Sequence, residues 1–289
     1  MSKSQIACSI DPEECSIVRV KTSGSDGYCL SGCKTFPFGS NTLASPKSER
    51  LWKKLSEEAA RWPGEDLALS VEPRAYLPLP ASFPLEATPE AARAYCRIEA
   101  AYFLTRPEEY LCDITGYADG NVTNTTLAKQ LLLFYPAEPL RKVTGYFTPN
   151  HPINFSGSTQ PPLLYLSKLT GKTQVILELE ENHILFAIAK SGQMERFSYR
   201  RVKNLEESRY FSMKELVDNP VCRETEVQVT GKLADRSMIK LIRKESSVSM
   251  KPLGIPSSIS ISNPDKCRFS SASAVKAIST ALMTLDGKR

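Results

Sequence analysis

Residues 162–202, PLLYLSKLTGKTQVILELEENHILFAIAKSGQMERFSYRRV, carry the pattern on which a fold assignment turns. Apolar runs too short for helices predict strands at Leu163 to Lys168, Thr173 to Leu179, Ile184 to Ala189 and Met194 to Arg200. Turns fall at Thr170-Gly171-Lys172, Glu181-Asn182 and Lys190-Ser191-Gly192. Residues 5–38, QIACSIDPEECSIVRVKTSGSDGYCLSGCKTFPF, follow the same plan. A strand to Ile10, a turn at Asp11-Pro12-Glu13-Glu14, a strand from Cys15 to Lys21, a turn at Ser25-Asp26-Gly27 and a third strand succeed one another. The two stretches share few identical residues, so the repeat is one of pattern, and it predicts a duplicated α/β fold. An α+β domain with two sheets is the alternative. In a duplicated fold, a ligand held between like halves sits where the first strand turn of each half points.

The chain has 289 residues, 41% hydrophobic and 24% charged, the composition of a folded globular protein rather than a disordered one. Its apolar runs fall short of the roughly 20 residues that span a bilayer, and MSKSQIACSIDPEE lacks the apolar core of a signal peptide, so a cytoplasmic protein is expected. Eight cysteines sit mostly inside strand-like runs, as small buried thiols do in a reducing compartment. Cys29 and Cys33 are expected on one strand face, but with no CxxC pair and only His151 and His183 in the chain a zinc site is not indicated. The Asn121-Val-Thr and Asn124-Thr-Thr sequons mean little without export. The charge of +5 is spread along the sequence, denser at Arg196 to Lys203 and Lys232 to Lys244, and argues little for nucleic acid.

Ser45-Pro46 opens a helix with Leu51, Leu55 and Ala59 on one side, ended by Pro63-Gly64, and Asp66 to Val71 is a strand. The proline-rich PRAYLPLPASFPL reads as an irregular connection. Thr88-Pro89-Glu90 caps a helix bearing Tyr95, Ile98 and Tyr102; strands at Tyr110 to Ile114 and Thr126 to Tyr135 flank a turn at Asp119-Gly120-Asn121; Pro139 to Phe147 is a helix. Residues 156–162, SGSTQPP, read as the linker. Beyond the second meander come a helix at Ser212 to Val217, a strand at Glu226 to Val229, a helix at Ala234 to Lys244 and two strands near Ser247 to Met250 and Ser257 to Ile261. A core helix at about Ser271 to Leu285 carries Ala274, Val275, Ile278, Ala281, Leu282 and Leu285. The division expected is 1–158, with an inserted αββα module at about 80–145 packed on the first half, and 159–289.

This order of elements resembles the actin-like ATPase superfamily, whose fold is a duplicated ribonuclease H-like α/β unit. Within it the chain resembles PilM-like type IV pilus assembly proteins and the related cytoplasmic domain of the type II secretion protein GspL. The first strand pair of that family is similar to G-I-D-x-G-x-x-S-I-K-V. Here Ser9-Ile10-Asp11 and Ser16-Ile17-Val18 match, and Glu13 replaces the glycine. The family's second phosphate turn resembles D-I-G-x-x-x-T; with Thr173 as the threonine, Ser167 replaces the aspartate and Leu169 the glycine. Val229-Thr230-Gly231-Lys232-Leu233-Ala234 resembles the adenosine-side motif, with Lys232 for its second glycine, and Ala277-Ile278-Ser279-Thr280-Ala281-Leu282 resembles the A-x-G-x-A-L helix without its glycine.

The resemblance implies ATP with Mg²⁺ as the ligand, with Asp11, Ser167, Lys168, Thr173, Gly231 and Lys232 as the candidate cofactor-binding residues and Asp11 the one metal contact. Side chains at Glu13 and Leu169 crowd a phosphate cradle built of backbone N–H groups, so no cofactor and no catalysis are expected; Lys168, Lys172 and Lys232 are candidate substitutes for metal charge. Asp11 has an equally good reading as an Asp-Pro turn residue. The expected function is a non-catalytic scaffold at the cytoplasmic face of the inner membrane. It would hold the short cytoplasmic tail of a bitopic, PilN-like partner in a groove formed by Tyr76, Leu77, Leu79, Tyr95, Tyr102 and Phe103, without inserting into the membrane itself. Each of these six also reads as core of the inserted module. The alternatives are an active ATPase or small-molecule kinase and a nucleic-acid binder using Lys232 to Lys244. The latter lacks an aromatic platform.

Overall fold

The computed structural model describes residues 3–23, 27–118, 126–262 and 271–287. The turn expected at Asp119-Gly120-Asn121, most of that at Ser25-Asp26-Gly27, both sequon asparagines and Cys267 lie outside the described residues. The strands in chain order are β1 (Ser4–Ile10), β2 (Cys15–Ser23), β3 (Gly27–Phe36), β4 (Leu67–Val71), β5 (Leu77–Pro84), β6 (Tyr110–Gly116), β7 (Leu127–Pro136), β8 (Ile153–Ser158), β9 (Gln174–Leu179), β10 (His183–Lys190), β11 (Gln193–Arg201), β12 (Val227–Thr230), β13 (Met250–Pro252) and β14 (Ile261–Ser262). The helices are α1 (Ser48–Ala59), α2 (Pro89–Phe103), α3 (Glu138–Phe147), α4 (Gln160–Thr170), α5 (Leu205–Asp218), α6 (Val221–Glu224), α7 (Arg236–Ser246) and α8 (Ala272–Asp286). Two compact units divide them: Met1–Arg74 with Pro136–Leu166 and Ile255–Arg289, and Ala75–Tyr135 with Ser167–Gly254.

In the first unit the strands lie in the order β14-β3-β2-β1-β4-β8. β1, β2 and β3 form an antiparallel meander, and β4 and β8 add in parallel beside β1. Residues 5–10 and all of β4 are buried, as in strands covered on both faces. α8 packs on β1, β2 and β4, while α1 and α3 pack on each other and on β2 and β4. α8 starts at Ser271, whose hydroxyl accepts from the Ala274 N–H at 3.4 Å, the capping role for which serine suits a helix start.

The second unit repeats the plan as β11-β10-β9-β12-β13, an antiparallel meander with β12 parallel beside β9 and β13 beyond it. Every residue of β9 is buried, and Val175, Leu177, Leu179, Phe186, Ile188, Val229, Met238 and Ile242 form one core. The duplicated α/β architecture is therefore present, each half built on the strand order third-second-first-fourth-fifth. Residues 75–135 add a separate sheet, β5-β7-β6, against which α2 packs through Cys96 and Ala100.

Several expected elements take other forms. Leu163 to Lys168 is not a strand but the body of α4, and the expected linker at 156–162 holds the end of β8 and the start of that helix. A short apolar run fits either state, and flanking residues decide: Pro161 and Pro162 occupy the first turn, where their missing N–H groups cost nothing, and Gly171 follows the last residue with φ +63°. PLPASFP, read as irregular, is β5. It is an edge strand, and Pro78, Pro80 and Pro84 share one parity, so the positions without N–H fall away from β7. Cys29 and Cys33 do not share a face: β3 carries a bulge at Ser31, so Cys33 opposes Val18 and Cys29 opposes Lys21, residues of opposite parity. The last helix, counted in the second half by its place in the sequence, belongs to the first compact unit, and the inserted module groups with the second, where the Ala118 N–H donates to Met194 O at 2.8 Å.

Gly39 shows how tightly the first strand turn is seated, since a Cβ there would stand 2.0 Å from Asp11 O and 2.7 Å from Glu13 N. Gly39→Ala is expected to lower stability by about 2 kcal/mol through overpacking. Gly145→Ala, in α3 with open space around it, is expected to raise stability by up to about 1 kcal/mol through helix propensity. Calorimetric melting of the two variants checks both signs.

Candidate functional site

The repeated plan places two equivalent turns, each at the end of a buried first strand. In the first unit the Asp11 N–H donates to Glu14 O at 2.9 Å, closing a four-residue turn between β1 and β2. In the second the Glu180 N–H donates to His183 O at 2.9 Å, closing the turn between β9 and β10 in the same way. Asp11 thus corresponds to Glu180, and Glu72, after β4, to Lys232, after β12.

The first turn is filled by the protein itself. Lys276 of α8 is fully buried, and its ammonium donates to Asp11 Oδ2 at 3.0 Å and to Glu72 Oε2. The carbonyl oxygens of Asp11 and Pro12 accept from the N–H groups of Ser40 and Asn41, both at 2.9 Å. Glu14 Oε1 accepts from Ser271 Oγ at 2.6 Å and from the Ser273 N–H at 3.3 Å, tying the turn to the start of α8. Ser16 Oγ lies 2.7 Å from Ser273 Oγ and continues this seam.

In the second turn Glu180 is buried and its Oε1 accepts from the Lys232 N–H at 2.9 Å. Lys232 Nζ lies 3.1 Å from Glu181 Oε1, an exposed pair of little energetic weight. Gly231 has φ +103°, and a Cβ there would meet Leu179 O at 2.4 Å, so the backbone crossing at the end of β12 admits glycine alone. His183, buried beside the turn, has Nε2 3.2 Å from Glu178 Oε1 and Nδ1 2.9 Å from Asn182 Oδ1.

Of the residues singled out in the sequence, Gly231 and Lys232 stand together at this turn, and Asp11 at the first. Ser167, Lys168 and Thr173 do not join them. They precede β9, which runs from Gln174 to Leu179 and separates them from Glu180 by about 20 Å of extended strand. There Ser167 Oγ accepts from the Gly192 N–H at 3.0 Å and the Lys168 stem packs on Gly192, so both residues hold the β10–β11 hairpin. The second turn is thus 180–183, because the expected strand ahead of it is a helix. Sequence reasoning passed over Glu14, Glu72, Glu180 and Lys276. For Lys276 there was a signal: α8 has small or apolar residues on all sides, which buries whatever stands among them.

The magnesium nucleotide implied by the resemblance fits neither turn. Pro12 has no N–H to give, the Asp11 N–H is used within the turn, and Glu13 adds a negative charge to a turn where a phosphate cradle requires open backbone. The carboxylates of Asp11 and Glu72 already share the Lys276 ammonium, and Glu180 and Glu181 bring negative charge to the second turn. Among the described residues no cluster of three or more His, Cys, Asp or Glu has the placement to hold a metal ion, and no helix is long and apolar enough to cross a membrane.

The candidate partner residues also separate. Tyr76 is buried, with its ring 6.1 Å from Tyr135 and 5.6 Å from Phe197, and Leu79 packs in the module's own core. Leu77 is at the surface, and α2 exposes large apolar residues: Tyr95 is 40% exposed, Ile98 53%, Tyr102 81% and Phe103 58%.

No protein-family model matches the chain, and neither does any curated protein sequence. Solved structures do match. A chain of a PilM-PilN type IV pilus biogenesis complex superposes with a TM-score of 0.67 at 11% identity, over 96% of this chain and 98% of that one. A Bacteroides thetaiotaomicron protein with an actin-like ATPase fold and unknown function superposes with a TM-score of 0.54, also at 11% identity, over 96% and 95% of the two chains. Together with the duplicated strand order, these likenesses identify the fold as that of the actin-like ATPases, in a form similar to PilM.

Glu180→Ala is expected to cost about 1–2 kcal/mol, since it leaves the Lys232 N–H without its buried acceptor. The Lys232 amide is expected to exchange faster in the variant. Urea unfolding with amide hydrogen exchange checks both, and an unchanged exchange rate at Lys232 contradicts the assigned bond.

Proposed function

We propose that the chain is an actin-fold scaffold that does not hydrolyse ATP and that holds the short cytoplasmic tail of a single-span inner-membrane protein, in a pilus or type II secretion assembly. The observation that carries the reading is the occupied first turn, where Lys276 takes both carboxylates and the turn itself carries Pro12, which has no N–H, and Glu13, which is acidic. A fold of this kind without hydrolytic chemistry has binding as its remaining use. The similarity to a PilM-PilN complex favours a partner of the PilN kind. Localisation on this reading is the cytoplasmic side of the inner membrane, through the partner.

The contact surface proposed is made of the exposed apolar residues of α2, Tyr95, Ile98, Tyr102 and Phe103, with Leu77 of β5 in the same module. Aromatic side chains that lose little conformational freedom are good anchors for a peptide. β5 itself is a poor site for strand addition, because its prolines remove donors from the free edge. The helix is therefore preferred to the strand edge.

Ile98→Asp and Tyr102→Asp change exposed residues and are expected to leave melting unchanged while weakening capture of a PilN-like tail peptide at least about tenfold. Fluorescence anisotropy with a labelled peptide measures this. Undiminished binding by both folded variants removes α2 from the interface, and steady ATP turnover by the purified chain, absent in Asp11→Ala, would restore the ATPase alternative.

A further inference from the structure

The misfit between the first turn and magnesium has a specific source. Asp11 at the end of β1 and Glu72 at the end of β4 bring two carboxylates to one point on adjacent parallel strands, an arrangement that a cation between them stabilises. That cation is supplied by the chain. Lys276 extends from the second turn of α8, a helix buried from Ser273 to Leu282, and its ammonium contacts both acids with no exposed surface. We infer that Lys276 is the built-in cation of this turn: its ammonium stands where a divalent cation would neutralise Asp11 and Glu72, excludes that cation, and leaves a divalent site behind when removed.

Hard divalent cations take oxygen ligands, and magnesium in particular binds through one or two carboxylates while keeping several waters. The two acids are a sufficient protein contribution, and Lys276→Ala vacates the volume of three methylenes and an ammonium for the hydrated ion. Glu72 also lines a pocket of about 240 Å³ with Asn41, Pro73, Arg74 and Lys142. The two cations of that pocket are engaged: Arg74 donates to Asn41 Oδ1, and Lys142 pairs with Glu138 at 2.6 Å. The inference deepens the non-hydrolysing reading at the same turn. Its test uses neither ATP nor a partner, so either can fail without the other.

The test is melting of the full chain in EDTA and in Mn²⁺, with Mn²⁺ binding read directly by electron paramagnetic resonance. Wild type is expected to melt at the same temperature in both and to bind no Mn²⁺ at this turn. Lys276→Ala is expected to melt lower in EDTA, to recover about 5 °C or more at saturating Mn²⁺, and to bind one Mn²⁺ ion more than wild type. Glu72→Gln combined with Lys276→Ala is expected to lose both the recovery and the added ion. If Lys276→Ala cannot be purified in EDTA, growth and purification in Mn²⁺ replace that arm. Soluble protein only with Mn²⁺ supports the inference, and failure in both overturns it. Mn²⁺ binding by wild type that Asp11→Asn abolishes, or a Lys276→Ala protein indifferent to Mn²⁺, also overturns it.

Discussion

The contact of one buried ammonium with two carboxylates organises the first unit. Lys276 reaches Asp11 across 265 positions of sequence and Glu72 across 204, so α8 supplies the cation that the ends of β1 and β4 share. The desolvation of three charged groups makes such an arrangement a weak source of net stability, yet loss of one member leaves an uncompensated charge in the core, at a cost of about 3–5 kcal/mol. The interaction therefore specifies an arrangement more than it strengthens one. Glu14, capping the start of the same helix through Ser271 and Ser273, fixes α8 against the turn from the other side.

The two halves share a plan and differ in how each satisfies its turn. In the first, a side-chain cation meets the acid at the strand end; in the second, Glu180 accepts from a main-chain N–H beside the glycine that lets β12 end against Leu179. Both carboxylates are committed to the protein's own donors. Phosphate recognition of the kind found in nucleotide-binding turns depends on uncommitted N–H groups and nearby positive charge, and here the turns carry proline, glutamate and internal ion pairs instead. The inserted module holds the contrasting surface, a helix packed through Cys96 and Ala100 that leaves Ile98 and Tyr102 exposed.

Much of this was legible in residues 5–38 and 174–202, where alternating apolar runs and polar turns mark both meanders, and the duplicated fold follows from them. What misled was local ambiguity. LLYLSKL carries no period that separates a buried helix from a buried strand, and only Pro161-Pro162 before it and Gly171 after it speak for a helix. That one exchange moved the second turn from 180–183 to 167–173 and drew Ser167, Lys168 and Thr173 into the candidate site. The proline-rich β5 was hidden because prolines tolerated on a free edge are indistinguishable in sequence from prolines that end a strand. Lys276 was unreadable as a site residue for another reason: its partners lie more than 200 positions away, and only the absence of a polar face on α8 hints that it is buried.

The claim that both turns are closed to nucleotide is tested most directly by hydrogen exchange of the wild-type chain, read by mass spectrometry on peptides covering 11–14 and 180–183, with and without saturating Mg-ATP. Nucleotide seated on backbone N–H groups protects those amides, so the same exchange in both conditions is the expected result. Saturable, magnesium-dependent protection of the two turn peptides would contradict the claim and show that ATP binds despite Lys276, Pro12 and Glu13.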